Sequence, residues 1–177
     1  TAQKPPMTVE LFRPMRRKVQ QMDTASAETV LRTATSGVLS LVGDGGYPYG
    51  VPLSYVYQDG HIYFHSAIEG HKVDAIRSNS RASFTVIGRD EVLPRLYTSN
   101  YASVICFGHI HVVTDEAERC EALRLLGQHY NPGDEAGLAR EMAHDAGRTI
   151  VLRLDILHLS GKEGIEAVRQ RAHDKGR

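Results

Sequence analysis

The chain has 177 residues, 41% hydrophobic and 24% charged, with 21 lysines and arginines balanced by 21 aspartates and glutamates. That length supports one domain with a full core, and the zero formal charge argues against the basic face that a nucleic-acid binder needs. Two cysteines are too few for a secreted disulfide framework, and no apolar run approaches the ~20 residues that cross a bilayer, so a cytoplasmic protein is expected.

Residues 1–14 contain Pro5, Pro6 and Pro14 and read as an extended arm. The basic stretch Met15–Gln21 continues it as a solvated segment, which sets an arm at 1–22. Asp23 or Thr24 caps a helix running to about Thr35, with Val30 and Leu31 as its apolar contacts. Gly37 releases the chain into the short strand Val38–Val42, and Asp44-Gly45-Gly46 is a turn. Strands Tyr49–Tyr57 and His61–Ser66 then flank Asp59-Gly60, a strong hairpin signal. Pro52 lacks the N–H a paired ladder needs, so its run is an edge, a bulge, or a place where a ligand meets the backbone.

A short helix follows from about His71 to Asn79, with Val73 and Ile76 on one side. Ala82–Ile87 is a strand, Glu91–Asn100 a loop around Pro94, and Tyr101–Val113 a long strand bent near Gly108. Asp115 and Glu118 have the spacing of a capping pair before a helix to Tyr130, whose inner face is read as Ala117, Cys120, Leu123 and Leu126. Cys106 and Cys120 both read as small buried hydrophobes. A shorter helix over Glu135–His144 and a strand over Thr149–Leu157 complete a domain at 23–160, with a tail at 161–177. Turns too short for crossovers give a mainly β, antiparallel fold with helices packed outside. Walker, G-x-G-x-x-G and zinc-protease motifs are absent. His109 and His111 share a strand face, read as polar surface and not as a metal site.

The segment Ile62-Tyr-Phe-His-Ser-Ala-Ile-Glu-Gly-His-Lys72 concentrates the chemistry. A strand ends in a hydroxyl at Ser66, turns at Gly70 and meets His71 and Lys72 at a helix start, an arrangement suited to a phosphate. Val51, Pro52, Leu53 and Tyr55 offer an apolar wall with irregular backbone for a flat ring, with Tyr47 and Tyr49 at its entrance. His71 is the candidate catalytic residue, as a donor to phosphate or substrate; the alternative is a helix cap.

Pro14–Lys18, Leu31–Leu39, Val51-Pro52-Leu53, Ile62–Ala67, Gly70-His71-Lys72, Tyr101–Val104 and Phe107-Gly108 follow one another in an order and spacing that resembles the nitroimidazole-resistance (Nim-type) flavoproteins of the pyridoxamine 5'-phosphate oxidase-like superfamily. The resemblance spans most of residues 14–160. It implies an FMN-binding split β-barrel with Greek-key-like strand order, a homodimer with two interface sites. It implies phosphate contacts from Phe64, His65, Ser66, His71 and Lys72, a flavin ring beside Val51–Leu53, and a cavity completed by Ser103 and Ile105. The implied activity is reduction of a nitroimidazole to its amine with electrons from a nicotinamide nucleotide or another reductant. The arginine-rich segment of the enzymes that oxidise pyridoxamine phosphate has no counterpart in Tyr47–Val51, and the chain has no tryptophan, which argues against that particular activity. Relatives with deazaflavin or haem leave a carrier without turnover as the alternative.

Overall fold

The computed structural model describes residues 12–144 and 147–175; residues 1–11 of the expected arm lie outside them. Helix α1 (Thr24–Thr33) starts where the Asp23 carboxylate accepts the Ser26 N–H at 2.7 Å, satisfying a backbone donor that the helix itself leaves open. Its Ala27 and Leu31, four residues apart, point into the core. Strand β1 (Ser36–Val42) leads through a tight turn at Asp44–Gly46, where Gly45 and Gly46 take the left-handed conformation, into β2 (Pro48–Ser54). Strands β3 (Val56–Gln58) and β4 (His61–Ala67) form the expected hairpin, with Asp59 and Gly60 both at positive φ in its two-residue turn. After α2 (His71–Ser78) come β5 (Arg81–Leu93), β6 (Thr98–Val112), α3 (Glu116–Tyr130), α4 (Glu135–His144), β7 (Thr149–Glu163) and α5 (Ile165–Lys175).

The seven strands make one antiparallel sheet in the order β2-β1-β5-β6-β7-β4-β3. Its two edge strands, β2 and β3, are separated in the chain by Tyr55 alone. A flat sheet cannot satisfy that connection. The sheet therefore curls until its opposite edges meet at Tyr55, without closing into a paired barrel, which is the open split-barrel arrangement with flanking helices. Tyr55 is fully buried at this junction, donates its hydroxyl to the Leu31 carbonyl at 2.7 Å, and has its phenol pKa raised chiefly by burial. Around it, Phe64 and Phe84 meet edge to face, and Leu39, Ile62, Val104, Ile110, Leu152 and Leu154 fill the enclosed core. Gly108 sits at the β6 bulge, where an added Cβ would lie 1.9 Å from the Asp155 carbonyl oxygen.

Several sequence expectations are corrected. Glu91–Asn100 is not a loop: β5 and β6 continue pairing to Leu93 and Thr98 around a short Pro94–Leu96 turn, forming a two-stranded ribbon. The run Tyr49–Tyr57 breaks at Tyr55, because the chain leaves one sheet edge there for the other. The last strand reaches Glu163, six residues past Leu157, and α5 follows it. On α3 the buried seam is Ala122 and Leu126 with Leu123 and Leu125; Ala117 is exposed. Cys120 is half-buried and donates its thiol to Glu116, whereas Cys106 is fully buried, its thiol pKa pushed up to about 12 by that burial. The basic stretch is not wholly solvated, since Gln20 is buried and donates to the Glu163 carbonyl at 2.9 Å.

Candidate functional site

Helix α2 differs from α1 and α3 at its start. Asp23 and Asp115 cap α1 and α3 through their carboxylates, the latter accepting the Glu118 N–H at 2.8 Å. Gly70 has no side chain to offer α2, and its φ of 124° is one that glycine alone adopts readily. The first N–H groups of α2 are thus left without a side-chain acceptor, beside the half-buried Lys72. Desolvation lowers the Lys72 pKa, and among the described residues no carboxylate pairs with it. A partly desolvated ammonium next to open backbone donors is a place for an anion. Ser66, buried at the end of β4, donates its hydroxyl to the Ala67 carbonyl at 3.0 Å.

His71 is stacked on Tyr49 of β2, ring centroids 4.1 Å apart and planes 16° apart. Its Nε2 accepts the Asp44 N–H at 3.3 Å, while the Asp44 carboxylate lies 3.7 Å away in solvent. This fixes the imidazole against the β1–β2 turn. In the neutral ring the proton then resides on Nδ1, which becomes the available donor. Neither Asp44 nor the stacking is visible in the sequence, since both depend on α2 folding back against β1.

The remaining expected residues separate by face. Val51 and Leu53 turn inward, with Leu53 packed against the core, while Pro52 faces outward opposite Val38 on the sheet edge. Phe64 is wholly buried, so its ring supports the wall from behind. His65 leaves β4 on the other side and lines a groove of about 210 Å³ with Leu123, Leu126 and Tyr130. The strand register joins Pro52, Val38, Thr85, Ile105 and Ser160 in one row across the outer face. Ile105 is three strand spacings, about 14 Å, from Pro52. One protomer therefore does not bring Ile105 or its neighbour Ser103 to the same ring as β2. Val38, Ile105 and Phe107 leave this outer face apolar and partly exposed.

The sequence profile of the family described as pyridoxamine 5'-phosphate oxidase matches residues 23–163. No curated protein shows significant similarity to the chain. Among solved structures, a candidate 5-nitroimidazole antibiotic resistance protein from Bacteroides thetaiotaomicron is 21% identical over 81% of this chain and 86% of its own, with a TM-score of 0.68. A FAD-binding protein from Mesorhizobium loti is 27% identical over 81% of this chain and 96% of its own, with a TM-score of 0.59. An FAD and haem binding protein from Mycobacterium smegmatis is 24% identical over 82% of this chain and 73% of its own, with a TM-score of 0.68. The fold is thus one that several flavoproteins use. No helix among the described residues is long and apolar enough to cross a membrane.

Proposed function

Because the chain belongs to the pyridoxamine 5'-phosphate oxidase family, we propose that it holds FMN between paired copies and reduces a nitroaromatic such as a 5-nitroimidazole to its amine. The carrying observation is Lys72: a partly desolvated cation without a carboxylate partner among the described residues, beside helix N–H groups that Gly70 leaves uncapped. An FMN phosphate satisfies both at once. Ser66 adds a hydroxyl donor at the strand end.

The ring would lie along the β2 edge, where the backbone groups of Val51–Leu53 that face away from β1 are open and Pro52 contributes no N–H. The outer faces of two copies would close over it, with Ser103 and Ile105 supplied by the partner copy, which accounts for their separation from β2 within one protomer. His71, held by Tyr49 and Asp44, would present Nδ1–H to phosphate or substrate. Lys72 anchors and takes no part in electron transfer. Bound flavin supplies two-electron transfer between a nicotinamide nucleotide and the substrate. Nitro to amine consumes three hydride equivalents and three solvent protons and releases two waters. The chain's own part is to position the reactants, exclude water and donate hydrogen bonds.

The absorbance of purified protein, with mass analysis of the released cofactor, tests the binding, and anaerobic assay of 5-nitroimidazole with a nicotinamide donor tests the turnover. Flavin bands, an FMN mass and amine product are expected. A released FAD would revise the cofactor, a relevant outcome because two relatives are named for FAD. Protein that stays colourless with added FMN would overturn the proposal. Tight flavin or haem binding with no turnover would favour a carrier, the reading that the relative named for FAD and haem keeps in view.

A further inference from the structure

Phe12 lays its ring on His158, centroids 4.9 Å and planes 11° apart, and on Phe107, at 5.3 Å and 29°. Phe107 and His158 are themselves cross-strand neighbours on β6 and β7, their rings 6.3 Å apart. Two rings standing side by side on a sheet, with a third already lying across both, make a seat for a flat aromatic group. Phe12 is itself only half-buried and Phe107 remains partly exposed beneath it, so the third ring is laid on and not sealed in.

We propose that the Phe107–His158 pair seats the ring of an electron-poor aromatic substrate, and that Phe12 is a built-in stopper which the substrate displaces. The proposal rests on the flavin reading and deepens it. Aromatic rings repel face to face when both faces are electron-rich, and a nitro substituent drains that face, so a nitroaromatic stacks on Phe107 more favourably than the phenyl ring of Phe12. His158 widens the seat with a second ring face, nearly parallel to the ring that lies on it. Phe107 shares a row with Gly50, Ser40 and Ser83, which puts it three strand spacings, about 14 Å, from β2 of its own protomer. With two copies paired through their outer faces, as proposed above, the seat would serve a flavin on the β2 edge of the opposed copy.

The test titrates 2-methyl-5-nitroimidazole into flavin-free protein, reading the dissociation constant by calorimetry and the location by the NMR signals of Phe107 and His158. FMN affinity is measured separately. Phe12→Ala is expected to tighten probe binding by about 2- to 10-fold, the worth of one ring stack, while FMN affinity stays unchanged. Adding His158→Ala to Phe12→Ala is expected to remove that gain. An unchanged probe constant in Phe12→Ala, or a tightened one that leaves the Phe107 and His158 signals unmoved, overturns the stopper while the flavin reading stands. Failure of FMN to bind the wild type overturns the flavin reading, which the probe titration does not test. Phe12→Leu, which keeps apolar cover without a flat ring, is expected to tighten probe binding as well and guards against a folding defect in Phe12→Ala.

Discussion

His65 and Ser66 are adjacent in β4, yet their side chains serve opposite sides of the sheet: Ser66 is buried at the strand end near α2, and His65 lines the groove beneath α3 and α4. Strand geometry makes this unavoidable, since successive side chains alternate. Ser66→Ala is therefore expected to weaken FMN binding about 2- to 10-fold, the worth of one hydrogen bond, and His65→Ala to leave it unchanged. Flavin-fluorescence titration measures both. Equal losses from the two changes would contradict the separation by face.

Lys72→Met separates binding from stability. Loss of a charge-assisted contact is expected to weaken FMN binding roughly 10- to 100-fold. The flavin-free variant is expected to melt higher than wild type near neutral pH. In the folded chain burial lowers the Lys72 pKa below the unfolded value near ~10.4, so between the two values the unfolded state binds more protons. Stability of the wild type then rises with pH across that window, and the advantage of Lys72→Met shrinks above it. Thermal melts from neutral to strongly alkaline pH follow the difference; a variant that melts lower at neutral pH would show that Lys72 is paired in the fold.

Ile105→Asp places a charge in the outer-face row that joins Pro52, Val38, Thr85 and Ser160. If two copies meet through this face, sedimentation is expected to show the mass falling by half, with flavin retention lost in parallel. A variant that remains a dimer with full flavin would move the interface elsewhere.

The face that carries α3 holds a separate clasp. Tyr63 donates to Glu118 at 3.0 Å, Arg153 pairs with the same carboxylate, and Arg153 Nε reaches Asp155 at 2.8 Å. Burial raises the Glu118 pKa, but the hydrogen bonds from Arg153 and Tyr63 outweigh it and hold the carboxyl below its usual range. Glu118→Gln is expected to cost about 1–2 kcal/mol, or about 3–6 °C in Tm. The difference from wild type is present above the unfolded carboxyl pKa of ~4.3 and is lost as pH falls through the lowered folded value. A Tm difference that stays constant down to strongly acid pH would rule out this linkage.

The sequence made the elements legible where local chemistry decides them. Asp23, Asp115 and Asp59-Gly60 mark helix starts and a hairpin through hydrogen bonds and φ angles that depend on a few neighbouring residues. It was less informative where distant parts decide. The ribbon through Val92 and Ser99 reads as a loop because it has no third strand and no buried face to impose alternation. Cys120 fits a helical apolar pattern, but the angle at which α3 meets β4 selects Ala122 and Leu126. In the candidate site, Ser66 and Lys72 follow from a strand–turn–helix motif. The Tyr49–His71 stack, the Asp44 contact and the Phe12 ring on Phe107 come from segments that meet only after folding.

The single-residue link at Tyr55 has a mechanical corollary. Because β2 and β3 are joined through one buried tyrosine, a pull on either border of the sheet reaches the other through a single residue. A molecule that clamps β2 should thereby slow amide exchange in the β3–β4 hairpin, across the seam, where it makes no contact of its own.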